Sequence, residues 1–202
     1  KRSGKKVIIH IHGAEYLTFY DGLNIRKKRI VDNFIRQADL VLALSDSWKQ
    51  ELESRFQMNA CETLYNGVDP ASLDSASSDP LEHQNTFLML GRLGERKGIY
   101  DLIAAVELAV LQNPELKLIL AGDGEVDQVR RTVKEKGLEK NIIVLGWIDG
   151  AEKLRCLREA ATVVLPSYHE GLPMSILEGM SAGKAIISTT VGAVPEVVGE
   201  EN

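Results

Sequence analysis

Residues 87–98 read FLMLGRLGERKG and residues 99–110 continue as IYDLIAAVELAV. An unbroken apolar run ends at Gly91, a loop carrying Arg92 and Lys97 follows, and then Ile99, Leu102, Ile103, Val106, Ala109 and Val110 recur at steps of three and four. The run has the composition of a strand buried on both faces, and the steps put one apolar face on a helix. A strand, a glycine-bearing loop and a helix in that order open a parallel α/β unit. At the C-terminal edge of such a sheet the loop turns backbone N–H groups and a helix N-terminus toward an anion. Arg92 and Lys97 would then grip two phosphates. The same residues also read as a surface turn with two solvated cations. A Walker A loop is excluded, because no Gly-Lys-Ser/Thr triplet follows.

Outward from this stretch the pattern repeats. Short runs rich in Val, Ile and Leu occur at 7–11, 40–44, 116–120, 142–145, 163–165 and 185–187, with a weaker one near 63–65. Each of the clear runs is expected as a strand buried on both faces, and the alternation with helical segments implies parallel sheets covered on both sides. Further helices are expected over about 25–37, 47–56, 126–136, 151–159 and 175–182, with another helical signal just before Asn202. Residues 66–85 break the pattern with Gly67, Pro70, Pro80 and a polar run over 74–79, which reads as a linker. The expected organisation is a partial N-terminal Rossmann-like domain over 1–65, the linker over 66–85, and a C-terminal domain over 86–202. Neither part holds a full doubly wound set of elements, so both are expected to be truncated.

Composition narrows the function. With 202 residues, 44% hydrophobic and 26% charged, the chain has ordinary globular composition. It has no run of about 18 apolar residues that could span a membrane. Residues 7–11 are too short for a signal peptide, and two cysteines make no disulfide framework, so a cytoplasmic protein is expected. Residues 1–60 carry 11 Lys and Arg against 7 Asp and Glu, whereas 61–202 carry 13 against 22. The basic cluster Arg26, Lys27, Lys28, Arg29 with Arg36 would suit an anionic lipid surface or a phosphorylated acceptor, or simply a solvated helix face. No basic stretch is interleaved with aromatics, so nucleic acid is not expected as a partner.

A second stretch, HEGLPMSILEGMSAGKAII at 169–187, holds two carboxylates eight residues apart. Glu170 precedes Gly171, Pro173 suits the first turn of a helix, and Glu178 falls within that helix. Facing one crevice, the pair would accept hydrogen bonds from the hydroxyls of a sugar-bearing ligand; a helix-start glutamate and an unrelated second one are the alternative. His10 and His12 flank Ile11 on one face of the first strand, but no further acidic or histidine cluster makes them a metal site. Gly122-Asp123-Gly124 hints at a dinucleotide fingerprint whose third glycine is missing, since Asp127 stands there.

Taken together with Asn66-Gly67-Val68-Asp69, Gly146-Trp147-Ile148 and Pro166-Ser167, these segments resemble, in order and spacing, the retaining family 4 glycosyltransferases of the GT-B fold. The resemblance spans nearly the whole chain. It implies two Rossmann-like parallel-sheet domains and transfer of a sugar from a nucleoside diphosphate sugar, of UDP or GDP type, to a saccharide or lipid-linked acceptor. Arg92 and Lys97 would hold the diphosphate and Glu178 the ribose, with the main chain at Ile148 meeting the base. Glu170 and the backbone from Gly171 through Leu172 and Pro173 to Met174 would engage the transferred sugar, as would His12, for which a core histidine bonded to backbone is the alternative. No metal or other cofactor is required, because the two cations neutralise the leaving diphosphate. The glycine-rich acceptor loop of the family has no counterpart at the start of the sequence, so weak turnover by these 202 residues is expected. Polysaccharide or glycolipid assembly at the inner face of a membrane fits the family and the basic helix. The competing readings are an inactive nucleotide-binding module on the same fold, a sugar-nucleotide epimerase and an NAD-type dehydrogenase.

Overall fold

The computed structural model describes residues 4–69 and 83–199; most of the expected linker, 70–82, lies outside the described residues. The chain forms two compact units. The first comprises Lys1–Asn66, His169–Leu172 and Thr190–Asn202, and the second Gly67–Tyr168 and Pro173–Thr189.

In the first unit a three-stranded parallel sheet runs in the order β1 (Ile8–His10), β2 (Leu40–Ala43), β3 (Cys61–Thr63). The helices are α1 (Tyr16–Asp21), α2 (Ile25–Gln37), α3 (Asp46–Arg55) and the short α8 (Val194–Val197). Asn24 starts α2 by accepting the N–H of Lys27, and Ser45 starts α3 by accepting that of Trp48. Ile35, Val41, Trp48, Leu52 and Phe56 pack as the core of this unit. The third strand lies two residues earlier than the weak run near 63–65 suggests, because Cys61 pairs with the central residue Val41.

In the second unit five parallel strands run in the order β6 (Ile142–Gly146), β5 (Lys117–Ala121), β4 (Thr86–Leu90), β7 (Thr162–Leu165), β8 (Ala185–Ser188). Helices α4 (Ile99–Ala109), α5 (Val126–Glu135), α6 (Gly150–Glu159) and α7 (Met174–Ser181) connect them. Leu88, Leu90, Ile119, Leu157 and Val163 sit at the centre of its core. The chain builds outward from β4 to β6 and returns to place β7 on the other side of β4. The crevice outside the carboxyl ends of β4 and β7 is therefore where an open sheet of this kind takes its ligand.

Burial on both faces holds for the central strands but not for the edges: Ile8 in β1, Ile143 in β6 and Ile187 in β8 are exposed. An edge strand has a neighbour on one side only, so its outer residues lose cover that composition cannot reveal. Pro173 stands one position earlier than expected, as the extended N-cap of α7 rather than within its first turn.

Candidate functional site

The loop after β4 is built jointly with the loop after β5. Gly91 donates its N–H to the Ala121 carbonyl at 3.0 Å and Leu93 donates to Asp123 at 2.7 Å, so the pairing of β4 with β5 continues past the sheet edge. A β-carbon on Gly122 would overlap the carbonyl oxygen of Gly91. That close approach accounts for Gly122 without a dinucleotide, and the loop has a packing reason for the glycine that suggested NAD.

Arg92 and Lys97 belong to this one loop. Arg92 is exposed. Residues Glu95–Lys97 make a single tight helical turn, which swings Lys97 back until its Nζ lies 3.9 Å from the position a β-carbon would take on Gly91. Gly98 then adopts the left-handed conformation, φ 68°, immediately before α4, and a β-carbon there would overlap the carbonyl oxygen of Pro166. The loop after β7 is clamped to the same turn: Tyr168 donates its N–H to Arg96 at 3.0 Å and its hydroxyl to Asp101 at 2.8 Å. Ser167, between these contacts, is fully buried and its Oγ has no partner among the described residues. The two loops that flank the switch point are thus held as one rigid edge, with two cations on it.

Glu178 lies in the second turn of α7 and accepts a 2.7 Å ion pair from Lys153 of α6. Both side chains line a cavity of about 340 Å³ with Gly67, Val68, Asp69, Leu154 and Met174. A lining that combines the carboxylates of Asp69 and Glu178 with the apolar Val68, Leu154 and Met174 suits a ligand with hydroxyls and a flat apolar ring. Ile148, just after β6, is half-buried and packs against the core of the unit. Lys153 was not identified from the sequence, since the pairing of α6 with α7 is a tertiary event; Ser167 entered only as part of the Pro166-Ser167 segment, without a role of its own.

Of the other proposed residues, Pro173 and Met174 open α7 in the second unit, whereas His12, Glu170, Gly171 and Leu172 fall in the first. Glu170, Gly171 and Leu172 are buried. Gly171 accepts the N–H of Ala193 at 2.8 Å, and Leu172 accepts the side-chain amide of Asn66 at 3.0 Å. The position of a β-carbon on Gly171 lies 3.4 Å from the His12 carbonyl, which brings the 169–172 segment against the end of β1. Glu170 and Glu178 therefore belong to different units. His12 is exposed just beyond β1, its ring centroid 3.8 Å from that of His10. Burial, and next the neighbouring His12, hold the His10 imidazole below its usual pKa against the opposing pull of a backbone hydrogen bond at Leu64. Among the described residues no three His, Cys, Asp or Glu side chains gather into a metal site.

The family model described as Glycosyl transferases group 1 matches residues 72–202, and the one described as Glycosyltransferase Family 4 matches residues 1–72. The chain belongs to the glycosyl transferases group 1 family. Among similar members of known sequence, the glycogen synthase of Mycobacterium tuberculosis is 30% identical over 93% of this chain and 47% of its own length. An uncharacterized glycosyltransferase of Methanocaldococcus jannaschii is 27% identical over 95% of this chain and 48% of its own. The chain spans about half the length of the curated relatives it matches. Among solved structures, Anabaena HepE in complex with UDP and glucose superposes with a TM-score of 0.76 at 21% identity, covering 96% of this chain and 55% of that one. Sucrose-phosphate synthase of Thermosynechococcus elongatus superposes at 0.78 and 21% identity, covering 98% and 54%. The two parallel-sheet units of this group 1 chain are accordingly of the GT-B type. No helix among its described residues is long and apolar enough to cross a membrane.

Proposed function

We propose that the chain is the donor-handling part of a retaining glycosyltransferase that moves a sugar from a UDP- or GDP-type nucleoside diphosphate sugar to a saccharide or lipid-linked acceptor. The observation that carries this reading is the carboxyl edge of the second unit. There Arg92 and Lys97 share the loop after β4, and Glu178 lines a cavity whose size and lining suit a nucleoside. UDP in the structurally similar HepE supports the nucleotide class, and the glycogen synthase relative supports a saccharide acceptor.

In the proposed reaction the bond from the anomeric carbon to the β-phosphate oxygen breaks, the electron pair leaves with the diphosphate, and an acceptor hydroxyl oxygen forms the new glycosidic bond. Negative charge grows on the diphosphate as it departs. Arg92 and Lys97 stabilise that charge, so the reading requires no metal ion or other cofactor. The proton of the acceptor hydroxyl passes to the departing diphosphate or to water, which completes the exchange. Glu178 receives the ribose hydroxyls, the Ile148 main chain the base, and Glu170 with the backbone of Gly171, Leu172, Pro173 and Met174 the transferred sugar. His12 is assigned to the same sugar.

On α2 the side chains of Ile25, Ile30 and Phe34 are exposed among Arg26, Lys27 and Arg29. Apolar tips within a cationic face support peripheral contact with an anionic membrane, with the protein at the cytoplasmic side. Titration of the chain with UDP, GDP, ADP and NAD, followed by detection of sugar transfer from the matching donor, tests the function. Tight binding of NAD in place of the diphosphates would refute it.

A further inference from the structure

Lys153 on α6 and Glu178 on α7 are 25 residues apart in sequence, yet Lys153 Nζ donates to Glu178 Oε1 at 2.7 Å. The Glu178 side chain is 15% exposed and that of Lys153 is 35% exposed. Both line the cavity that also holds Val68, Asp69, Leu154 and Met174. Among the described residues this bond is the one hydrogen bond of the Glu178 carboxylate, and it occupies a single oxygen.

The choice of cation matters to what the second oxygen can do. A carboxylate drawn this far from water needs a compensating charge. An ammonium supplies it as a compact point charge on one oxygen. A guanidinium would lay its fork across both oxygens and so engage the Oε2 that lysine leaves clear. Lysine at this position thus compensates and orients the carboxylate while keeping Oε2 clear of any protein donor.

We infer that Lys153 is a positioning residue for the nucleoside end of the site: it fixes Glu178 so that the open oxygen accepts the vicinal hydroxyls of a ribose, and so makes the cavity selective for ribonucleotides over their deoxy counterparts. The inference rests on the nucleotide reading above.

Isothermal titration of the chain with UDP and with 2′,3′-dideoxyuridine diphosphate tests it. The wild-type chain should prefer UDP. Lys153→Met should weaken UDP by about fivefold, the size of a partly exposed ion pair, leave the dideoxy ligand unchanged, and so erase the preference. Lys153→Arg should not restore it, although it restores the charge. A residue with a merely structural role would be rescued by arginine. Lys153→Gln serves as the second variant should the methionine variant fail to fold, and it should also lose the preference. A ribose preference that survives in Lys153→Met, or returns in Lys153→Arg, overturns the inference while leaving nucleotide binding intact. A wild-type chain that does not bind UDP at all overturns the nucleotide reading itself, and the inference with it.

Discussion

Glu196 and Ser47 are joined twice across 149 residues of chain, for the carboxylate accepts both the backbone N–H of Ser47 at 3.0 Å and its hydroxyl at 2.5 Å. The same carboxylate accepts the N–H of Asp46 at 2.9 Å and the hydroxyl of Tyr65 at 2.9 Å. The first turn of α3 is thereby satisfied in full. Trp48 donates to the Ser45 hydroxyl and Lys49 to the Ser45 carbonyl, which leaves the two donors that Glu196 takes. A carboxylate at a helix N-terminus also meets the positive end of the helix dipole.

Acid should therefore loosen the C-terminal segment of the first unit. Burial pushes the Glu196 pKa up, but the Ser47 hydroxyl and N–H, the Asp46 N–H and the Tyr65 hydroxyl together bring it down to about 2. A carboxylate whose folded pKa is depressed stabilises the fold above its unfolded pKa and loses that contribution as pH falls toward the folded value. The loss should therefore run from about pH 4.5 down to about pH 2. The site is exposed, so solvent screening limits the contribution to about 1 kcal/mol. Glu196→Gln should lower stability by that amount at pH 7 and flatten the acid limb of a denaturant series. An unchanged acid limb in the variant would show that Glu196 does not hold the segment.

Gly98→Ala should destabilise the second unit. The left-handed backbone at Gly98 costs a residue with a β-carbon roughly 1–2 kcal/mol, and the overlap with the Pro166 carbonyl adds to it. Because the same turn carries Lys97, nucleotide affinity should fall with stability. Chemical denaturation and UDP titration of one preparation check both. A stable variant with full affinity would mean that the turn relaxes freely.

The two glutamates should separate by ligand. Glu178→Gln should weaken UDP and a UDP-sugar alike, since the proposed contact is to the ribose. Glu170→Gln should weaken only the sugar-bearing donor. Each loss should be on the order of tenfold, as for a hydrogen bond to a charged group. Equal losses for both ligands in both variants would show that the roles are wrongly divided.

Replacing Ile30 and Phe34 together by glutamate should reduce cosedimentation with phosphatidylglycerol vesicles and leave UDP affinity unchanged, since both side chains are exposed on α2 of the first unit. Equal cosedimentation of the variant and the wild type would remove the membrane reading.

Much of this architecture is legible in the sequence, for physical reasons that differ between elements. The span 25–37 is a helix as expected, because a cap at Asn24 coincides with the onset of its period. The central strands β4, β5 and β7 stand out because buried parallel strands are apolar without interruption. Helix α1 goes unseen, as its six residues bury no side chain completely and so carry no apolar period. Arg92, Lys97 and Glu178 stand out as candidates because a glycine-bearing loop and an expected helix are local signals, and the family resemblance supplies the roles proposed for them. Lys153 and Glu196 cannot, for each acts through a partner distant in sequence, 25 residues away for one and 149–150 for the other.

The most direct test is calorimetric titration of UDP and GDP into the wild-type chain and into the Arg92→Ala/Lys97→Ala double variant. The account predicts that the wild type binds at least one of the two diphosphates and that the double variant loses at least a hundredfold, because each charge-assisted bond to phosphate contributes about 1.5–3 kcal/mol. The variant's unfolding midpoint should stay near that of the wild type, as Arg92 is exposed and Lys97 lies at the surface turn before α4. Undiminished diphosphate affinity in a folded double variant would contradict the account.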